Sequence, residues 1–158
     1  RSFMPSDHVL ADSAEFEAQT DLSRLFGINM SSKGQMESVG NNILVYPFKG
    51  LVFSTNPLKI PYRSYPVDMT YALTRYFYVK IQIPDGYVWK DPVKDVTLNN
   101  ALVELNYKVR LLKNQLVVGG LYTFKKPVYQ NNEYFDLKDA FSAIVSTFNN
   151  PIVLSRAP

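Results

Sequence analysis

The chain has 158 residues, of which 46% are hydrophobic, 14% aromatic and 20% charged, a balance that suits a folded domain and argues against extensive disorder. The net charge of +3 comes from lysines and arginines scattered among acids, which argues against nucleic-acid binding. Because the chain contains no cysteine, disulfides, thiolate metal sites and cysteine nucleophiles are excluded.

Neither a membrane span nor a signal sequence is predicted. No segment approaches the ~18 uninterrupted apolar residues that a membrane helix requires, and Arg1–Pro5 lacks an apolar signal core. We therefore expect either a cytoplasmic chain or a mature or truncated piece of an exported protein. The absence of an initial Met favours the piece.

Residues 1–38 are predicted to be a leader or linker with a helix. Asp12 or Ser13 is a suitable N-cap for a helix over Ala14–Phe26, which Gly27 would end. The composition of Ser31–Gln35 is typical of a turn or linker. We therefore predict a domain over residues 39–158.

Short strands and a proline-rich segment follow. Ile43–Tyr46 is predicted to be a strand, and Leu51–Phe53 a weaker one. Prolines 57, 61 and 66 favour an extended loop or edge strand, because each fixes φ and biases the preceding residue toward extended geometry.

Two longer segments alternate between apolar and polar residues. Residues 71–83 have one apolar face with Arg75 as its exception, and Tyr87–Trp89 is a short strand after the turn. Val103–Leu111 and Leu116–Phe124 are predicted to form a hairpin.

Within this hairpin, Lys113–Gln115 is the expected turn. Gly119 and Gly120 interrupt the return strand and indicate a bulge or the close approach of another chain segment.

The period changes to that of a helix near the end of the chain. Asp136 is the expected N-cap, and Ile152–Leu154 is a last strand. The apolar stripe consists of Leu137, Phe141, Ile144, Val145 and Phe148. The predicted class is mainly β, an immunoglobulin-like antiparallel β-sandwich with one amphipathic helix near the C-terminus.

No catalytic residue, metal site or cofactor is predicted. The sole histidine, His8, lies in a proline-flanked leader and is interpreted as an exposed tail residue. Carboxylate catalysis of the glycosidase type stays an alternative, although three of the candidates lie in turns beside Gly or Pro. These candidates are Asp68, Asp85, Asp91, Asp95 and Glu104.

Exposed aromatic residues are the better candidate site. If Leu73 and Phe77 face inward, Tyr76 and Tyr78 project from the opposite face, and Trp89 would complete a stacking platform for sugar rings or a partner protein. Alternatively, both faces of this strand are buried, or the C-terminal helix covers the rings.

Arg63, Pro66 and Asp68 are predicted to form a structural loop. Arg63 and Asp68 bracket a proline-stiffened segment, which an ion pair or backbone hydrogen bonds would fix in place. A ligand-binding role for the two charges is the alternative.

The order of these motifs resembles a known family. The segments are Ile43–Pro47, Asn56–Lys59, Arg63–Asp68, Ile83–Tyr87, Asp91–Pro92 and Ile152–Leu154, of which R-x-Y-P-V-D followed by I-P-D-G-Y is the most specific part. Over about residues 39–156 the chain resembles the C-terminal β domain of unknown function in large Bacteroidetes proteins that carry a central transglutaminase-like domain.

The resemblance implies an exported protein in the periplasm or at the cell surface. It also implies a noncatalytic accessory role beside a transglutaminase-like domain, in the same polypeptide or as a partner. The family's catalytic Cys, His and Asp belong to the central domain, so none is carried over to this chain. The rival hypotheses are a carbohydrate-binding module and a hydrolase built on turn carboxylates.

Overall fold

The computed structural model describes residues 13–21, 23–24, 26–31 and 37–158. The chain divides into two compact units, residues 1–36 and residues 37–158. His8 and the predicted linker residues 32–35 lie outside the described residues.

The described residues of the first unit form a β-hairpin, so the predicted helix over Ala14–Phe26 is wrong. Strand β1 (Ser13–Glu17) pairs antiparallel with strand β2 (Gly27–Ser31). Gly27 is therefore a strand residue and does not end a helix.

Cross-strand pairing explains this outcome. Phe16 lies opposite Ile28, and Ala14 lies opposite Met30. These apolar residues recur with a period of two on each strand, so they share one face of the hairpin. The predicted helix rests only on a loose apolar period, which the cross-strand pairing overrides.

The second unit, all of whose residues are described, contains two four-stranded antiparallel sheets. The strands are β3 (Glu37–Val39), β4 (Asn42–Val45), β5 (Val67–Asp68), β6 (Leu73–Gln82), β7 (Tyr87–Val88), β8 (Val96–Asn99), β9 (Val103–Leu112), β10 (Gln115–Phe124), β11 (Val128–Tyr129) and β12 (Ile152–Arg156). The first sheet has the order β3-β4-β12-β7 and the second the order β6-β10-β9-β8, while β5 pairs with β11.

The long strands follow the predicted alternation. The predicted inward positions of β9 and β10 are buried except Leu111, which is exposed near the turn, and the two strands pair in an unbroken register from Gln115↔Leu112 to Phe124↔Val103. The register contains no bulge at Gly119 or Gly120. The predicted close approach occurs at Gly120, where an added Cβ would lie 2.6 Å from the Phe148 ring.

Leu51–Phe53 does not form the predicted strand. Leu51 N donates to Phe48 O in a turn, and the Phe53 carbonyl accepts a hydrogen bond from Asn149 Nδ2 at 2.9 Å. Phe53 also packs on Phe141, with ring centroids 5.4 Å apart. Phe53 thus contacts the C-terminal helix twice, through its backbone carbonyl and through its ring.

Helix α1 (Tyr134–Asn149) follows a 3-10 turn at Asn131–Glu133. The predicted N-cap, Asp136, is instead in the first turn, because the chain enters through a capping box formed by Gln130 and Glu133. The predicted stripe is correct in placing Leu137, Phe141, Ile144 and Phe148 in the core, with Val145 half-buried at its edge.

Both sheets and the helix share one core. Ile43, Ile152 and Leu154 bring the first sheet into the same apolar cluster as the inner faces of β9 and β10. Phe148 lies at its centre, with ring centroids 5.3 to 5.7 Å from the rings of Phe48, Phe77, Tyr107 and Tyr122. The predicted class, a mainly β sandwich with a C-terminal amphipathic helix, is confirmed.

Candidate binding surfaces

The proline-rich segment, residues 56–69, forms a strap that is attached to helix α1. Asn56 Nδ2 donates to the Lys138 carbonyl and to Ser142 Oγ, both at 2.8 Å, while Asn56 Oδ1 accepts from Leu58 N at 2.8 Å. One amide side chain thus holds the first turn of the strap against the middle of the helix.

Two further attachments fix the rest of the strap. The Ile60 carbonyl accepts hydrogen bonds from Tyr134 Oη at 2.7 Å and from Lys138 Nζ at 2.8 Å. The end of the strap pairs through β5 with β11, and Met69 N donates to Pro127 O at 2.8 Å. The strap is therefore a stiff loop that leads into β6, as its prolines indicate.

The predicted loop residues lie at the second half of the strap. Asp68 forms no ion pair with Arg63, and its carboxylate accepts a hydrogen bond from Thr70 N at 2.7 Å. Of the two predicted ways to fix the loop, the structure uses the backbone hydrogen bond. Pro66 is exposed and directly precedes Val67, which is buried against the core.

The strap carries large apolar side chains on its exposed side. We name Ile60, Tyr62, Tyr65 and the helix residue Phe135 the strap surface. Tyr62 is 71% exposed and Tyr65 78%, the two highest values among the exposed large hydrophobic residues of the described chain. Phe135 follows Tyr134, whose hydroxyl binds the Ile60 carbonyl, so helix and strap contribute to neighbouring surface. The prolines of this segment predict an extended loop, but they do not predict that these side chains are exposed.

The second sheet has an open face opposite the core, which we name the outer face. Tyr76 and Tyr78 lie on it, 67% and 54% exposed, because they alternate with Phe77, which packs inward on Phe148. The helix covers the inner face, so it does not cover these rings. The predicted exposure of the two tyrosines is correct.

Trp89 does not join them. It follows β7, which belongs to the first sheet, and its ring packs against the core, with Nε1 buried and without a hydrogen-bond partner in the described part of the chain. The sequence placed Trp89 one short strand after β6 and suggested neighbouring positions, whereas the chain crosses to the other sheet between the two strands.

A depression of about 300 Å³ lies on the outer face beside Tyr76. Its floor contains Gly119 and Leu121 of the central strand β10, and its far wall is β9. A Cβ on Gly119 would meet no atom within 4 Å. The missing side chain therefore leaves a gap between Tyr78 on one side and Lys108 on the other, which are its partners in the two neighbouring strands.

The far wall presents polar groups of mixed type. Glu104, Asn106 and Lys108 alternate along β9 and line the depression. Their side chains form no hydrogen bond or ion pair with any residue that the structure describes. A carboxylate, an amide and an ammonium group are thus available to a ligand in one row. The alternation in β9 predicts their outward direction, but only the register shows that Gly119 lies beside them.

Charge on the outer face is partly neutralised next to this row. Arg110 binds Asp95 through two hydrogen bonds of 2.7 and 2.6 Å, and this contact lowers the pKa of the Asp95 carboxyl below its usual value. The same carboxylate raises the pKa of Arg110. Asp95 is thereby an ion-pair partner, and Asp85 and Asp91 are exposed in the loops on either side of β7.

A second cleft of about 280 Å³ lies where the end of α1 meets β8 and β9. It is lined by Val93, Val96, Tyr107, Ser146, Thr147, Asn150 and Pro151. Burial raises the pKa of Tyr107 to about 12.

Comparison with protein families gives one match. Residues 41–154 match the family described as "Domain of Unknown Function with solved-structure structure (DUF3858)". The chain belongs to the DUF3858 family. Comparison with curated proteins and with solved structures yields no match.

The family match covers the strap surface, the outer face and every strand from β4 onward except the last two residues of β12. The resemblance found in the sequence is thereby confirmed as far as a domain of unknown function. In the described part of this DUF3858 chain, no helix has the length and apolar content needed to cross a bilayer. No group of three or more His, Cys, Asp or Glu residues able to hold a metal ion occurs among the same residues.

Proposed function

We propose that this DUF3858 domain is a noncatalytic accessory domain that packs beside a transglutaminase-like domain in a longer exported Bacteroidetes protein, in the periplasm or at the cell surface. The motif R-x-Y-P-V-D followed by I-P-D-G-Y supports the proposal, since it is the part of the sequence that resembles such proteins most specifically. Family membership over residues 41–154 supports the domain itself.

The strap surface is the observation that carries the accessory role. Tyr62 and Tyr65 expose most of their rings, while the strap backbone is held to α1 through Asn56 and Ile60. Aromatic side chains are enriched at protein interfaces, and groups on a fixed backbone lose less conformational entropy when they bind. We infer that the strap surface contacts the transglutaminase-like domain.

Binding between the two domains tests this inference. The purified chain is mixed with the transglutaminase-like domain of its parent polypeptide, and the complex is measured by cross-linking and calorimetry. We expect the double variant Tyr62→Ser/Tyr65→Ser to bind at least tenfold more weakly, because two anchors are removed.

The matched control is Tyr76→Ser/Tyr78→Ser, which removes two tyrosines of similar exposure from the outer face. This control should bind as the original chain does. Absence of a complex at concentrations of tens of micromolar, or equal binding by the strap variant, would contradict the accessory role.

The noncatalytic part of the proposal has its own test. The purified chain is assayed for hydrolysis of glycan and peptide substrates, alone and as the variants Asp85→Asn and Asp91→Asn. We expect no turnover in any sample. Turnover that one of these substitutions removes would establish the rival hydrolase hypothesis.

Carbohydrate binding is the second candidate function, and the two tyrosines of the outer face favour it. Exposed rings on a flat sheet face suit stacking against sugar rings. Trp89 has no part in this candidate, since it packs against the core. A glycan array is the test: binding that Tyr76→Ser/Tyr78→Ser removes supports the candidate, and an array without any signal rejects it.

A further inference from the structure

We propose that the depression over Gly119 is a binding site for sugars that carry a carboxylate group, such as oligomers of uronic acids. The inference rests on the second candidate function and is independent of the accessory role. It identifies the place on the outer face where a sugar binds, the residues that contact it and the charge that the sugar carries.

The depression has room for a flat sugar ring. Gly119 lies between Tyr78 and Lys108, whose backbones are two strand spacings or roughly 10 Å apart. Because nothing stands above Gly119, a flat ring can enter the gap and contact Leu121 on the floor and Tyr76 at the side. Apolar floors with an aromatic wall are typical of small-ligand sites.

The polar groups of the far wall match the hydroxyl groups of a sugar. Glu104 accepts hydrogen bonds, Lys108 donates them, and Asn106 between them does both. Sugar hydroxyls also donate and accept, so a row of unpaired groups of both kinds matches them. Glu104 and Lys108 are four residues apart on one strand, roughly 13 Å, which separates them too far to neutralise each other.

The charges of the outer face favour a sugar that carries a negative charge. On the outer face, Arg110 is neutralised by Asp95, and Lys108 forms no ion pair with a described residue, although its charge also acts on the Asp95 carboxylate. Lys80 adds a second cation beside the Tyr78 ring, with Nζ 5.8 Å from the ring centroid. With the Arg110–Asp95 pair included, three cations face the two carboxylates of Glu104 and Asp95, which favours an anionic ligand, and its carboxylate is expected next to Lys108.

A protein partner fits this site less well. β10 is paired on both sides along its length, and β9 is paired on both sides over Glu104–Tyr107, so the floor and most of the far wall have no free backbone groups for an added peptide strand. The hydrophobic anchors that dominate protein interfaces also need an apolar surround, and here the surround is Glu104, Asn106 and Lys108. A peptide is therefore an outcome of the test rather than the proposed ligand.

The experiment uses the full 158-residue chain and calorimetric titration with trimers of galacturonate, mannuronate and guluronate. Each trimer is paired with its methyl ester, which keeps the backbone and removes the charge. We expect at least one acid trimer to bind with at least tenfold higher affinity than its ester, and we expect this difference to shrink as salt is raised from 50 to 500 mM.

Gly119→Val is the decisive variant. A strand favours valine, and the new side chain fills open space, so the melting temperature should stay level or rise while binding falls at least tenfold. Tyr76→Ala and Lys108→Ala should each weaken acid binding several-fold, and only Lys108→Ala should reduce the preference over the ester. Tyr62→Ala on the strap surface is the control and should bind normally.

The outcomes test three things separately: the acidic class of the sugar, the location of the site and carbohydrate binding itself. Equal binding of acids and esters that Gly119→Val removes would overturn the acidic class and keep carbohydrate binding. Binding that Gly119→Val leaves unchanged would overturn the location of the site. If no trimer binds, the proposed site is rejected, and if the glycan array is also without signal, the second candidate function fails with it. Binding of peptides but not of sugars would overturn the proposed ligand class.

Discussion

Phe148 occupies the centre of the core because Gly120 leaves room beside it. An added Cβ on Gly120 would lie 2.6 and 2.8 Å from two ring atoms of Phe148. The ring has no space to retreat, since Phe48, Phe77, Tyr107 and Tyr122 surround it. The neighbouring Gly119 faces open space, so two adjacent glycines have opposite structural roles.

Gly120→Ala and Gly119→Ala are therefore a matched pair of substitutions. We expect Gly120→Ala to lower the free energy of unfolding by about 1–3 kcal/mol, because overpacking forces the core to shift. Gly119→Ala should raise it by about 0.5 kcal/mol, because glycine weakens a strand interior. Urea denaturation of both variants measures the difference, and similar values for the two would contradict the assigned roles.

Tyr107 is a second residue whose burial should have a measurable effect, here on how stability depends on pH. Burial raises its pKa from 10.0 to about 12, whereas the unfolded chain releases the proton near pH 10. The folded state thus binds more protons between pH 10 and 12, so this contribution to stability is complete below pH 10 and is lost as the pH rises toward 12.

We expect the loss to be about 2 kcal/mol over that interval. Tyr107→Phe has no titrating hydroxyl, so its free energy of unfolding should fall less steeply with pH. Urea denaturation of both chains at pH 9, 10.5 and 11.5 measures the two slopes. Parallel slopes would show that Tyr107 titrates in the folded state as it does in the unfolded chain.

At the scale of elements, the strap and helix α1 depend on each other through Asn56. Its side chain takes part in three hydrogen bonds, two to the helix and one within the strap. Each such bond contributes on the order of 1 kcal/mol, and the side chain is only half-buried.

Asn56→Ala should lower the free energy of unfolding by about 2 kcal/mol and increase amide exchange in residues 57–66. Ser142→Ala removes one of the three bonds and is the control, with an expected cost below 1 kcal/mol. Hydrogen exchange measured by mass spectrometry locates the effect. An increase confined to α1, with no change in the strap, would contradict this attachment.

Elements with a sustained period could be predicted, and elements decided by distant partners could not. Strand β6 (Leu73–Gln82) and the β9–β10 hairpin follow a sustained alternation, and α1 follows a helical stripe, so local pattern and final structure agree there, while Tyr71 of the predicted face is exposed before β6 begins. Leu51–Phe53 is equally apolar, but it forms no strand, and the Phe53 carbonyl accepts a hydrogen bond from Asn149, almost a hundred residues away.

The candidate sites show the same division. Alternation along β6 was sufficient to place Tyr76 and Tyr78 outside, because their direction depends on one strand alone. Trp89 required knowledge of which sheet β7 joins, and the depression required the register of β10 against β9. A site built from several strands depends on their pairing, which the residues of one strand do not specify.

At the scale of the whole molecule, the two units are expected to fold separately. Among the described residues, every buried member of the core lies between Ile43 and Leu154, and none belongs to the β1–β2 hairpin. A chain of residues 37–158 should therefore melt within about 3 °C of the full chain and show the same near-ultraviolet circular dichroism. A fall in the melting temperature of 10 °C or more would show that the first unit supports the second.

The order of strands in the first sheet also affects when this domain can form. β12 lies between β4 and β7, and Val45 pairs with Ile152 more than a hundred residues later. During synthesis on the ribosome, the edge of β4 that pairs with β12 therefore stays unpaired until nearly the whole domain has been made. We expect stalled nascent chains to resist protease only after residue 156 has left the exit tunnel, which makes this interval the one in which chaperones would bind.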